Sequence, residues 1–431
     1  MEKYAAPVED MSFILTNLLD IDNYLKSINN KELSFDSLKM IIEEAGKFAC
    51  DELDTINQVG DQEGIKLENG VVRMPESFIK AYKNFVNTGW FSIIGEKKYG
   101  GQDLPLSAVV MINEIWHSTN MSFATNNMLT QGAVELLESH GNDKQKEYYL
   151  PNLISGKWSG TMNLTEPHAG SDLSSIKTKA IEKDKKYLVK GTKIYITHGD
   201  QDMSDNIIHL VLAKLPNAPE GVRGISLFLV PKYYLNDKGT KIKNDIKVVS
   251  VEHKLGHHAS PTCVLSFGEN EGAIGELVGE PNQGLKAMFT MMNNARLNVG
   301  VQGLAISERA YQKALSFSKE RIQGYSLNKN ITGPVEIIKH PDVKRMLMEM
   351  KSQTEAMRGL AITTGNFIDK YKNFPNSPEG KECLLISNLL TPIVKAWCTD
   401  QSIYITSLGV QVHGGMGFIE DTGAAQYYRD C

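Results

Sequence analysis

The spacing of apolar residues changes twice along the chain, and this double change limits the fold more than any other feature. Up to about residue 157, and again from 279, apolar side chains recur at helical spacing. Between them, from 178 to 267, they alternate, and β-branched residues become more frequent. A helical–β–helical order in 431 residues reads as an α+β protein of two or three packed units. We expect an N-terminal helical domain over 1–157, a small antiparallel β domain over 158–278 and a C-terminal helical bundle over 279–431.

The local signals are consistent with this order. Ile14, Leu15, Leu18, Leu19 and Leu25 predict a helix over 11–29, and 34–58 repeats the pattern with Ser34 and Asp36 as caps. Helices are also expected over 75–88 and over 106–140, the latter closed by Gly141. Residues 187–197 read as two strands turning at Gly191, with further strands at 207–215, 224–230, 246–251 and 262–267. The run 281–324 has no proline after its start and is rich in Leu, Met and Ala, which predicts one long bundle helix. Helices over 341–369, 377–409 and 422–428 follow.

Composition narrows the function. The net charge of -5 carries no block of like charge, which argues against a nucleic-acid or anionic-membrane binder, while local arginines could still hold an anion. Cys50, Cys263, Cys383, Cys398 and Cys431 are scattered and form no C-x-x-C pair, as expected for a reducing compartment and no structural metal. The start, MEKYAAPVEDMSF, lacks the basic and apolar runs of a signal peptide, and no apolar stretch is long enough to span a bilayer. A cytoplasmic protein is expected.

The polar loop from Met162 to Asp172, MNLTEPHAGSD, carries the chemistry. Gly170 and Ser171 can turn backbone N–H groups toward an anion or a heteroaromatic edge, and Thr165 adds a hydroxyl. On composition alone a capped turn accounts for it. A second polar tip, Tyr195-Ile-Thr-His-Gly199, ends the strand region nearby. TEPHAGSD followed by KGTKIYITHG resembles the flavin-contacting strands of acyl-CoA dehydrogenases. LVGEPNQGLKAMFTMMNNARLNVGVQGLA resembles the long helix of that family, and SKERIQG and QVHGGMGF its later FAD-contacting segments. The agreement runs in order from about Phe35 to Asp430. KYAAPVEDMSFIL and MMNNARLNV more closely resemble the branch containing 3-methylmercaptopropionyl-CoA dehydrogenase.

The resemblance implies roles position by position. Met162, Leu164 and Thr165 would face the flavin, with the Leu164 amide and the Thr165 hydroxyl at its pyrimidine edge. Donors there favour hydride acceptance, because that edge gains negative charge on reduction. Gly170 and Ser171 would lie near the FAD pyrophosphate, and Ser171 also near the acyl-CoA. Tyr195, Ile196 and Thr197 would lie along the ring. Tyr195 stands where Trp is frequent, and His168 and His198 replace the commonest residues at their positions. Arg321 would reach the pyrophosphate from a second chain, a contact suited to a guanidinium fork. A solvated helix end is the plain reading of Glu320-Arg321. His340, Gln411, Gly414 and Gly415 would complete the FAD site, with Pro341 replacing a usual Gln. Asn293 and Arg296 would hold the acyl-CoA; the alternative for Arg296 is pairing with a carboxylate inside the bundle. The resemblance also implies a homodimer or homotetramer and an electron-transfer flavoprotein as acceptor.

One part of the pattern is missing. The base of the family is usually a Glu in Tyr-Glu-Gly-Thr, a few residues after a stretch like Tyr428-Arg429-Asp430, and the sequence ends at Cys431 without it. The alternative position for a base is occupied by Ala295. Glu166 reads as a loop contact, and Glu420 and Asp421 as surface residues. The expectation is therefore a C-terminally truncated chain with an incomplete bundle, no catalytic residue of its own and impaired dehydrogenation. Two other readings share the scaffold: an FAD oxidase or monooxygenase, and a non-catalytic flavoprotein or assembly partner.

Overall fold

The computed structural model describes residues 3–236, 238–328, 330 and 332–431. The first helical run is broken. α1 (Val8–Phe13) continues into a π-helical turn at Ile14–Leu18, and α2 (Ile21–Ser27) starts anew because Asp20 takes φ +49°. Ser34 caps α3 (Phe35–Phe48) through reciprocal hydrogen bonds with Ser37, while Asp36 lies in the first turn, facing the positive helix end. A second π-turn, Ala49–Leu53, leads into α4 (Asp54–Glu63). β1 (Lys66–Glu68) and β2 (Val71–Arg73) then form a hairpin that the periodicity did not predict. It turns on Asn69 and Gly70, both with positive φ.

α5 (Glu76–Asn87) precedes α6 (Leu106–Thr119) and α7 (Met121–His140), which replace the single helix expected over 106–140. Asn120 leaves helical geometry at φ -154° and its side chain accepts the Phe123 N–H, so one residue ends one helix and caps the next. Gly141 does end α7, but at φ -69°; a Cβ there would stand 2.7 Å from the Leu137 carbonyl. Asn142 and Gln145 cap α8 (Asp143–Ile154).

The β region contains β3 (Trp158–Asn163), β4 (Lys179–Lys183), β5 (Lys186–Thr197), β6 (Asn206–Lys214), β7 (Ile225–Pro231), the small hairpin β8 (Tyr233–Leu235) and β9 (Lys241–Lys243), β10 (Ile246–Val251), β11 (Thr262–Phe267) and β12 (Ala273–Val278). The main sheet runs β10-β11-β5-β12-β7-β6-β3, with β4 beside β5. Its pairings are antiparallel except those of β6 with β3 and, at one residue pair, with β4. Residues 187–197 belong to one strand, not two. The first part of β5 pairs with β12 and β4, and the part from Gly191 onward with β11. Gly191 marks a close approach, since a Cβ there would lie 2.3 Å from Thr178 Oγ1.

The long helix α9 (Gly284–Glu320) spans 37 residues. After the short pair β13 (Ile322–Tyr325) and β14 (Pro334–Glu336) come α10 (Pro341–Asn373), α11 (Pro378–His413) and α12 (Ala424–Arg429). α9 packs on α10 and α11 and also on α6 and α7, so the two helical regions share one core. A second core joins α7 and α8 to β6 and β7. Among the described residues no helix is long and apolar enough to cross a membrane, and no three His, Cys, Asp or Glu side chains cluster as metal ligands would.

Candidate cofactor and substrate site

β3 and β5 end side by side, and three bonds hold their tips together. Ile194 N–H donates to the Thr165 carbonyl at 2.9 Å. Lys193 Nζ donates to the Leu164 carbonyl and to Glu166 Oε1, each at 2.9 Å. Glu166 also accepts from Lys177 N–H, Thr178 N–H and Thr178 Oγ1, which folds the following loop back on the sheet. Burial alone would raise the Glu166 pKa, but the Lys193 charge and these donors hold it below the usual carboxylate range. Glu166 is therefore engaged as a loop clip.

A bulge shapes the tip of β5. Cys263 pairs with Ile196, but the next pairing is Leu265 with Lys193. Tyr195 takes φ +60° and turns its ring outward, 61% exposed, while Ile196 is buried. Thr197 faces Thr262 of β11. His198, at φ +49°, is fully buried; its Nε2–H points to the Ser122 carbonyl at 3.2 Å and lies 3.3 Å from Ser260 Oγ. Burial pushes its pKa down to about 3, so the ring is neutral. It anchors the tip on α7. His168 is a loop residue whose Nε2 donates to the Ser175 carbonyl at 3.0 Å.

The hydroxyls of Thr165, Ser171, Tyr195 and Thr197 have no hydrogen-bond partner among the described residues, although Thr165 and Thr197 are half-buried. Such a donor set suits the polar edge of a heteroaromatic ring. Gly170 is less special than its sequence context suggests: its φ is not positive, and a Cβ would make an ordinary 3.5 Å contact with Thr165. Met162 and Leu164 are half-buried against the second core.

A second group forms at one end of the bundle. Arg321 is exposed at the end of α9, and its Nη2 lies 3.5 Å from Gln323 Oε1. His340 Nε2 donates to the Gln323 carbonyl at 2.7 Å. Pro341 occupies the first turn of α10, where its missing N–H leaves nothing unsatisfied. His413 stacks on Phe317 with ring centroids 4.5 Å apart. That contact brings exposed Gln411, Gly414 and Gly415 beside the last turn of α9, where Arg321 N–H bonds to the Phe317 carbonyl. Gly414 ends α11 at φ +58°, and a Cβ on Gly415 would meet nothing within 4 Å. No hydrogen bond, ion pair or ring contact joins this group to the strand tips among the described residues.

Asn293 and Arg296 meet on α9: Nη1 donates to Asn293 Oδ1 at 3.0 Å, and the guanidinium lies over Phe289 at 5.5 Å. No carboxylate pairs with Arg296 among the described residues, so pairing inside the bundle does not explain it. Glu420 is held by Arg429 at 2.7 and 2.8 Å. Asp421 is exposed. Lys193 and His198 were not singled out from the sequence for their roles in bracing the tips. A lysine at an inward position of an alternating strand was the available signal for the first.

Most of the chain is similar to known proteins. The N-terminal, middle and C-terminal domain models of acyl-CoA dehydrogenase match residues 36–157, 161–269 and 282–431. The 3-methylmercaptopropionyl-CoA dehydrogenase of Ruegeria pomeroyi is 47% identical over 430 residues, covering 99% of this chain and 72% of that protein. The chain belongs to the acyl-CoA dehydrogenase family. A butyryl-CoA dehydrogenase of Syntrophomonas wolfei is 36% identical over 444 residues, covering 99% of this chain and 72% of that relative. An acyl-CoA dehydrogenase of Bacillus anthracis solved with FAD shares the acyl-CoA dehydrogenase fold at TM-score 0.75 and 23% identity, covering 93% of this chain and 63% of that one. The matches to all three acyl-CoA dehydrogenase domains give no support to the expectation of impaired activity.

Proposed function

We propose that this chain binds FAD and catalyses α,β-dehydrogenation of an acyl-CoA thioester, with an electron-transfer flavoprotein as the acceptor in the cytoplasm. The observation that carries this reading is the set of unpartnered hydroxyls on two strand tips braced from behind. Bound flavin supplies the acceptor for the β-hydride. Leu164 and Thr165 offer an amide and a hydroxyl to its pyrimidine edge, with Met162 alongside. Tyr195, Ile196 and Thr197 flank the ring, and Gly170 and Ser171 lie toward the pyrophosphate. Arg321, His340, Gln411, Gly414 and Gly415 hold the remainder of the FAD of a second copy, which makes the working form a homodimer or homotetramer. Ser171, Asn293 and Arg296 hold the acyl-CoA. We assign the proton-removing role to none of Glu166, Glu420 or Asp421. The natural divisions of the chain are 1–157, 158–278 and 279–431.

The test is anaerobic addition of 3-methylmercaptopropionyl-CoA or butyryl-CoA to the FAD-reconstituted protein. Loss of the oxidised-flavin absorbance together with formation of the 2-enoyl-CoA is expected. An FAD-bound protein that bleaches with neither thioester overturns the assignment. Mixing Thr197→Ala chains with Arg321→Met chains tests the shared site: a fraction of sites with wild-type FAD affinity is expected in the mixture, and a mixture that binds no more tightly than its two parents overturns the two-chain arrangement.

A further inference from the structure

β5 points Val189, Lys193 and Ile196 into the interior, and only the lysine is charged. Its side chain is fully buried, an environment in which an apolar residue would serve stability as well. Glu166 does not need it for satisfaction, since three other donors already bind that carboxylate. What Lys193 does uniquely is place an ammonium 2.9 Å from the Leu164 carbonyl. That carbonyl is on Leu164, the residue whose own N–H the flavin reading places at the pyrimidine edge. The ammonium therefore stands behind that donor and adds positive potential there.

We propose that Lys193 is a positioning residue that sets the electron affinity of the bound flavin from behind the Leu164 backbone, with Glu166 holding it in place and damping its charge. The proposal rests on the flavin reading above. A cation behind the pyrimidine edge stabilises the negative charge which that edge gains on reduction, whereas the carboxylate opposes it. Burial pushes the Lys193 pKa down to about 8 despite Glu166, so the ammonium is still the main form at neutral pH.

The experiment is a spectroelectrochemical titration of FAD in four reconstituted proteins: wild type, Glu166→Gln, Lys193→Met and the double variant. At one fixed potential, and at the lowest pH at which FAD stays bound so that Lys193 keeps its proton without the carboxylate that raises its pKa, the ratio of reduced to oxidised flavin should rise in Glu166→Gln. It should fall about tenfold in Lys193→Met, which for a two-electron couple is ~30 mV. The double variant should lie near wild type. Lys193→Met leaves Glu166 without its cation and can fail to fold. In that case Glu166→Gln against the double variant, which differ only at Lys193, carries the same test, with the former expected to be the easier to reduce. Equal potentials across the series, with FAD retained, overturn the proposal alone. A wild-type chain that binds no FAD overturns the flavin reading and the proposal with it.

Discussion

Two buried cations in this molecule are held in contrasting ways. Arg358 of α10 lies between Glu114 of α6 at 2.7 Å and Glu308 of α9 at 2.6 Å, with Asp10 of α1 at 3.5 Å. Lys193 has one carboxylate and one peptide carbonyl. Burial would lower the Arg358 pKa, but its carboxylates hold it above the usual range, so the guanidinium stays charged at any pH the fold survives. Burial wins at Lys193 and moves it within reach of ordinary pH. One site uses a fixed, forked cation to fasten three long helices. The other uses a point charge on the backbone of the candidate cofactor site, where the charge itself can change.

The sharpest way to break the comparison is Arg358→Met. It strands Glu114 and Glu308 in the core and should lower unfolding stability by about 3–5 kcal/mol. Urea denaturation of the FAD-free protein measures it. A loss under ~1 kcal/mol would show that the cluster does not fasten the bundle. Arg358→Lys should lose less, because the charge remains while the fork is lost. In variants that still fold, the flavin potential should match wild type, in contrast with Lys193.

Parts of both regions were legible in the sequence and parts were not, for identifiable reasons. The long helix over 281–324 was legible because nothing interrupts its period, and α9 lies within that run. The break at Asn120 was hidden because α6 and α7 are buried almost throughout, so no polar face marks where the phase changes. The Asn69-Gly70 hairpin carried a clear turn signal, but its strands are three residues each, too short to show a period. Gly191 looked like a turn, yet the requirement there is proximity to Thr178, a contact distant enough in sequence to leave no local trace. Motifs located the tip hydroxyls. The bonds that brace them, from Lys193 to Leu164 and from His198 to Ser122, depend on tertiary placement alone.

The pH dependence of stability should separate the two cations more gently. The folded Lys193 pKa, about 8, is below its ordinary value of 10.5. Between these values the unfolded chain binds more protons than the folded one, so this residue makes stability rise with pH. Glu166 and, 3.6 Å from it, His168 are the titratable groups at this site. Glu166 acts at the other end of the scale: its lowered pKa contributes stability that is lost as pH falls through the folded value. Comparing unfolding free energies at pH ~8 and ~10 for wild type and the Glu166→Gln/Lys193→Met double variant isolates the lysine, and the wild type should gain on the double as pH rises. A parallel pair of values would mean that Lys193 keeps its proton.

The smallest effect belongs to the tip itself. Thr197→Ala removes one unpartnered hydroxyl and leaves the bracing bonds to Lys193 and His198 in place. It should weaken FAD binding by about 1 kcal/mol, roughly fivefold, with no change in unfolding stability of the FAD-free protein, since the hydroxyl satisfies nothing inside the chain. Equilibrium FAD titration beside urea denaturation reads both quantities. If stability falls and FAD affinity does not, Thr197 serves the fold, and the division between bracing residues behind the tip and ligand donors in front of it fails at this position.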